Sequence, residues 1–251
     1  MSTSFAGTSS TRRLFRRTVL VALLAGASSC VPSVRIPLPV PLPSVGGSRP
    51  ATPQGLQFVL EFGDGVWGQE QERVEMGGGG LAISLWDRIE LGVSGYGATR
   101  RVQSQTSATT TGVRGKIRLG DFSGGRASVG LHVTGMTSQR LEGGLQDERM
   151  TAWDFALPVT FYPFGEQFVD HRWGVYVAPR LVFQTFEDRL AIQTTKGTLA
   201  GGLLGVAARW RYFALTGELN FARTPDMGLA FESGWLVLPM LSVRGMVPIG
   251  D

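Results

Sequence analysis

Cysteine occurs once in the 251 residues, at Cys30; histidine occurs only at His132 and His171, and lysine only at Lys116 and Lys196. One cysteine leaves no intramolecular disulfide to staple the fold. So few thiols and imidazoles give no paired ligand spacing for a structural zinc site, and no metal and no cofactor is expected. Long apolar runs are missing as well, the longest, about residues 19–27, being far short of the roughly 20 residues of a spanning helix. No segment of strand length or more shows helical spacing of its apolar residues. Excess charge is also absent from most of the chain. The formal +4 is carried entirely by Arg12, Arg13, Arg16 and Arg17, since residues 1–29 contain no acid, and removing them leaves a neutral remainder. A neutral chain has no field to draw it to polyphosphate, which excludes a nucleic-acid partner.

What is present begins with an address. Four arginines, a short apolar segment and a run of small residues are the three parts of a secretory signal over residues 1–29. The ending Ala27-Ser28-Ser29-Cys30 resembles the lipobox of bacterial lipoproteins, with Ala27 standing where that family carries Leu, Val or Ile. The resemblance implies cleavage before Cys30 and acylation of its thiol and new amino terminus, several chains being what stable attachment needs. Val31 after the cysteine resembles the sorting pattern for the outer rather than the inner membrane. An ordinary signal peptide with a cysteine near its cut is the alternative. Thr11-Arg12-Arg13-Leu14-Phe15 is also similar to a twin-arginine export motif, so the export route stays open.

Residues 30–54 form the next segment and hold seven of the thirteen prolines. Prolines at 37, 39, 41 and 43 block helix and disfavour sheet, leaving polyproline II, which at ~3.1 Å per residue spans up to roughly 75 Å. A spacer between a lipidated Cys30 and the following domain is expected, with a partner-binding proline motif as the minority reading.

From Gly55 to Asp251 the pattern has period two. Val113–Leu119 sets aliphatics against Arg114, Lys116 and Arg118, and Trp153–Phe161 sets five large apolar groups against Asp154 and small residues. Ten strands are expected, near 56–63, 78–86, 88–100, 109–119, 126–137, 151–162, 173–185, 198–210, 213–222 and 232–246. Their connections alternate between long and short. A meander of this kind is similar to outer-membrane proteins: an all-β, antiparallel up-and-down β-barrel of about ten strands, membrane-embedded. The even count returns the C-terminus to the side of the amino-terminal anchor, which is expected on the periplasmic side.

The polar face decides between a membrane barrel and a soluble one. It carries Gln57, Glu61, Arg88, Glu90, Arg114, Lys116, Arg118, His132, Asp154, Arg180, Gln184, Glu218 and Arg244, a mixture suited to a narrow lumen of arginine–carboxylate pairs. The apolar face carries aromatics near strand ends, Phe62, Trp86, Trp153, Phe161, Trp173, Phe221 and Trp235, as interfacial girdles require. Against this, the chain closes on Val247-Pro248-Ile249-Gly250-Asp251 and not on the terminal aromatic of many outer-membrane proteins.

Little in the sequence marks a reaction. Ser128, His132 and Asp154 could form a nucleophile–base–carboxylate set, although a lumen histidine among arginines explains the same residues. The ten-strand count is similar to that of the omptin surface proteases, but His132 lies within a strand and His171 in an expected short-end turn. Lipid A deacylases are also small barrels, but their His-x-Ser pair would read His132-Val133-Thr134, without the nucleophile. The run Gly77–Gly80 lacks the following helix of a phosphate cradle and reads as a place where the barrel bends or neighbours approach. Acidic groups at Glu70, Glu72, Glu75, Asp147 and Glu148 fall on expected loops, as solvated tips or weak cation sites. The expectation is thus a non-enzymatic outer-membrane lipoprotein, an envelope scaffold or surface-loop interaction protein. Its partners are outer-membrane lipid and the acyl chains on Cys30. A lipid-tethered, lipocalin-like soluble barrel is the alternative, and an envelope-lipid hydrolase a more distant one.

Overall fold

Period-two segments rich in Val, Leu, Ile and aromatics cannot satisfy their backbone groups alone, so each must pair on both edges. The computed structural model, describing residues 42–52, 54–67, 72–101, 105–140, 148–163, 172–188, 193–224 and 234–249, meets that requirement by closure. The strands are β1 (Gly55–Trp67), β2 (Glu72–Leu85), β3 (Ile89–Arg101), β4 (Gln105–Phe122), β5 (Ala127–Arg140), β6 (Glu148–Ala156), β7 (Val159–Phe161), β8 (Arg172–Asp188), β9 (Gln193–Arg209), β10 (Phe213–Thr224) and β11 (Gly234–Pro248). The sheet runs β4-β3-β2-β1-β11-β10-β9-β8-β6-β5, and β4 pairs with β5 to close it. β6 and β7 both lie between β5 and β8 and form one strand interrupted at Leu157-Pro158, as proline's missing donor dictates. The result is a closed antiparallel barrel of ten strands, the expected class.

All ten expected strands are present, and several run further at one end. The stretch read as a long loop after the first strand is largely ladder, with Asp64 opposite Glu75 and Val66 opposite Arg73. There the outward positions turn polar, as at Asp64, Arg73 and Glu75, so alternation of hydropathy fades while backbone pairing continues. At the other end the connections are tight. Arg88 N–H donates to Leu85 O at 3.1 Å across Trp86-Asp87, both at positive φ (53° and 52°), as a two-residue hairpin turn demands. β1 begins and β11 ends at this turn end, Gly55 opposite Pro248, with Ile249 N–H on Gln54 O at 3.3 Å.

The two faces are inverted relative to a soluble barrel. Phe58, Leu60, Leu91, Val93, Val113, Leu181, Leu204, Val206 and Leu241 all point outward and are exposed, while Glu61, Glu90, Arg114, Asp154, Arg180 and Arg244 are buried inside. Between the aromatic ends of the strands, no outward-facing position among the described residues carries Asp, Glu, Lys or Arg. Trp86, Phe161 and Trp173 are exposed towards the turn end, and Phe62, Phe221 and Trp235 towards the other, with Trp153 and the edge-to-face pair Phe155–Phe183 (centroids 5.9 Å apart) nearer to it. On β8, Trp173 and Phe183 are ten residues apart, about 34 Å along the strand and about 26 Å along the axis at a tilt of ~40°. That matches the roughly 25 Å apolar band of a membrane barrel. A lipocalin-like protein would need the opposite arrangement, with an apolar interior and charge outside. The fold is therefore that of a membrane-embedded β-barrel.

Candidate functional site

The lumen is occupied by the chain itself. Leu42, Val45, Ser44 and Ser48 are essentially fully buried, and Arg49 and Thr52 nearly so, although all lie upstream of the first strand. The spacer expected over residues 30–54 is therefore, in its described part, an internal thread. Proline accounts for both readings: Pro43 and Pro50 cannot join the wall ladder, so the segment stays out of the sheet. Its backbone groups must then be met by wall side chains.

Those side chains are buried and charged. Glu218 Oε1 accepts from Ser44 Oγ (3.0 Å), Gly46 N–H (2.8 Å) and Tyr176 Oη (2.6 Å). Glu61 Oε2 accepts from Ser44 N–H (3.3 Å) and Tyr96 Oη (2.6 Å), and Arg180 Nη2 donates to Pro43 O at 3.1 Å. Lower down, Ser48 N–H and Oγ both donate to Thr160 Oγ1 at 2.8 Å, and Ser48 Oγ also meets Ser128 Oγ. Arg49 pairs with Asp121 at 2.8 Å, and Ala51 N–H reaches Glu90 Oε2 at 3.4 Å.

Two glycines allow this close approach. At Gly46 (φ +66°) a Cβ would lie 2.8 Å from Arg244 Nη2. At Gly130, on the inner face of β5, a Cβ would overlap the Ser48 carbonyl, coming within 3.0 Å of its carbon and Cα. The Gly77–Gly80 run serves packing in the same way, the Tyr96 ring lying across Gly78.

Around the thread the wall forms a polar tier. Arg114 Nη1 reaches Glu61 Oε1 at 3.1 Å, Arg244 Nη1 reaches Glu90 Oε1 at 3.0 Å, and Arg180 forks onto both oxygens of Asp154 at 2.9 and 2.5 Å. Arg180 Nη1 also donates to Asn220 Oδ1 at 2.6 Å, and Gln57 links Glu90 to Ser84. Arg114, Lys116, Arg180 and Arg244 face Glu61, Glu90, Asp154 and Glu218, four buried wall cations against four buried carboxylates. Such balance is the condition under which charges stay in a low-dielectric interior. Lys116 Nζ, His132 Nδ1, Glu218 Oε2 and Ser242 Oγ have no hydrogen-bond partner among the described residues, which makes them natural positions for bound water. Towards the mouth opposite the turns the inward residues become apolar, and Leu42 joins a cluster there with Met76, Met136, Met150, Val182, Leu236, Leu238 and Met240.

Of the residues singled out from sequence, Glu61, Glu90, Arg114, Lys116, His132, Asp154, Arg180, Glu218 and Arg244 all lie in this lumen. Arg118 lies on the same face but at the turn rim, the next inward position after Lys116, paired with Asp87 (2.8 Å) and Asp121 (3.3 Å). Ser128, His132 and Asp154 are not assembled as a catalytic set: both Asp154 oxygens are held by Arg180, Ser128 is engaged by Ser48, and His132 Nδ1 has no partner. Cys30, His171, Glu70 and Asp147 fall outside the described residues. Sequence reading missed Tyr96, Tyr176, Thr160 and Asn220, whose inward parity was the available signal, and missed the thread, for which no local signal exists.

Fold and interior together define a membrane-spanning β-barrel whose lumen is occupied by residues 42–52 of its own chain. No protein-family profile and no curated protein sequence matches the chain. Among solved structures it is similar to the translocator domain of the autotransporter NalP from Neisseria meningitidis (12% identity, TM-score 0.39, covering 76% of this chain and 88% of that one). It is also similar to the outer-membrane protease OmpT from Escherichia coli (10% identity, TM-score 0.40, 78% and 98% covered). The toluene transporter TodX from P. putida is a third (8% identity, TM-score 0.31, 81% and 94% covered). These are likenesses of barrel architecture, and the membrane assignment rests on the outward band that is free of charge between the aromatic ends of the strands.

Proposed function

We propose that this chain is an outer-membrane lipoprotein barrel that acts as a closed, non-enzymatic envelope scaffold, anchored through acylated Cys30 and meeting its partners through the segments at the mouth opposite the turns. The observation that carries this reading is the seating of Leu42–Thr52 in the lumen by buried carboxylates and arginine. A narrow barrel filled by its own chain is a poor conduit for solutes. Among the described residues, Ser128, His132 and Asp154 are not joined as a reacting set, since Ser128 meets Ser48 and Asp154 is held by Arg180. The neutral charge of the chain after the leader, and an outward band free of charge between its aromatic ends among the described residues, support lipid as the surrounding partner.

Fractionation of a tagged protein with gel mobility read before and after boiling tests the barrel. The expected result is recovery with outer membranes and a boiling-dependent shift, and recovery in the soluble periplasm without a shift overturns the reading. Mass measurement of the mature amino terminus tests the anchor: acyl chains on Cys30 are expected, and Cys30→Ser should leave the leader uncut by the lipoprotein peptidase. Reconstituted wild-type protein should show no steady conductance in planar bilayers.

A further inference from the structure

Three arginines share one row of the inner wall at the turn end of the lumen. In the ladder Arg172 of β8 stands opposite Arg209 of β9, Arg209 opposite Ala214 of β10, and Ala214 opposite Arg244 of β11. Their chain neighbours Trp173, Phe213 and Val243 are exposed outside, so this row faces the lumen. The next inward row away from the turns is Gly174, Ala207, Thr216 and Ser242, all small. The low side-chain volume there leaves a cavity of about 50 Å³ between wall and thread. Arg172, Arg209, Arg244 and Thr216 bound it on the wall side, and Gly46 and Arg49 on the thread side.

Charge around this cavity has one sign. Four of its lining residues are arginines, and among the described residues none is Asp or Glu. Arg244 and Arg49 are buried, and their carboxylate partners Glu90 (3.0 Å) and Asp121 (2.8 Å) do not line the cavity. The Nε atoms of Arg172 and Arg244 are buried with no hydrogen-bond partner among the described residues. Tyr162, whose ring centroid lies 5.1 Å from the Arg49 guanidinium, adds a π face and no formal charge. Like charges set directly opposite, as Arg172 and Arg209 are, repel, and an anion between them reverses the sign.

We propose that this cavity binds a small oxyanion of the phosphate class, held by Arg172, Arg209 and Arg244 of the wall and Arg49 of the thread. Guanidinium groups present paired N–H donors in a planar fork that matches such oxygens. A single water needs about 10–15 Å³ by the same measure, so the space suits one compact ion and excludes a metabolite-sized ligand. Inorganic phosphate and the phosphodiester of a lipid headgroup share this chemistry, and the size favours the free ion. Because Gly46 and Arg49 belong to the thread, the bound anion ties the thread to the wall. The site stands on the barrel interior and residues 42–52, and does not depend on the lipid anchor.

Calorimetric titration of inorganic phosphate into the purified protein, in a phosphate-free glycoside detergent at fixed ionic strength with chloride, tests the site. Boiling-dependent mobility reports the barrel separately for each variant. The expected result is saturable binding of a single ion, weakened about tenfold or more in Arg172→Gln and in Arg209→Gln. Arg211→Gln, at an exposed arginine of the same end, should bind as wild type does. Ala214→Leu fills the space without removing a charge and should abolish binding, which decides the matter where an arginine variant fails to fold. Wild-type protein that takes up no phosphate, or variants that all bind it equally, overturn the proposal. A second arm replaces phosphate with short-chain phosphatidylglycerol. Binding of that lipid with none of the free ion also overturns the enclosed site, in favour of a headgroup contact.

Discussion

Gly130→Val is the sharpest perturbation of the plugged lumen. The Gly130 N–H is fixed on Pro158 O at 3.0 Å, so the wall cannot retreat, and a side chain at this position would occupy the space of the Ser48 carbonyl. Ser48 must therefore leave its seat. It surrenders two hydrogen bonds to Thr160 at 2.8 Å and the contact with Ser128. At about 0.5–1.5 kcal/mol net per bond, the seated state loses about 2–4 kcal/mol. That corresponds to roughly 30- to 1000-fold more time unseated, at ~1.4 kcal/mol per decade. Single-channel recording in planar bilayers reads this directly, with a silent wild type, frequent openings in Gly130→Val and steady current after deletion of residues 42–53. Gly245→Ala is the control, because nothing lies within 4 Å of its added Cβ. If Gly130→Val is as silent as wild type while the deletion conducts, the seat at Ser48 is not what holds the thread.

Other perturbations test other parts of the argument. Glu218→Ala removes the acceptor of Ser44 Oγ and Gly46 N–H, a loss of about 3–5 kcal/mol for two bonds to a carboxylate, and should open the lumen more often than Glu218→Gln. A synthetic peptide spanning residues 42–53, added to the barrel lacking them, should block its current in a saturable way, whereas a scrambled peptide should not. Arg180→Met leaves Asp154 buried and unpaired and should lower the unfolding free energy in urea by about 3–5 kcal/mol, with Arg180→Met/Asp154→Leu recovering most of it. Leu204→Arg places a charge on the outward face and should cost about 2–4 kcal/mol of stability in lipid bilayers, with little change in detergent-free folding yield of a soluble barrel, were it one.

The sequence by itself determined the strands and their faces, because side-chain direction in a strand alternates strictly and so does the hydropathy of each segment. Arg114 and Lys116 inward with Val113 and Ile117 outward could be read from parity alone, as could the strand number from ten such runs. It left the strand ends short where both faces turn polar, since there only backbone pairing defines the ladder. Tertiary structure alone decided the fate of residues 42–52, the described part of the proline segment. Its hydrogen-bond partners are 174 residues away at Glu218 and 112 at Thr160, and no local pattern encodes such contacts. Pro43 and Pro50 keep residues 42–52 out of the wall ladder, but whether those residues lie outside the barrel or within it depends on the interior that the wall encloses. There, closure of the sheet brings Glu61, Glu218 and Arg180 around one axis, and Gly130 leaves the space in which Ser48 lies.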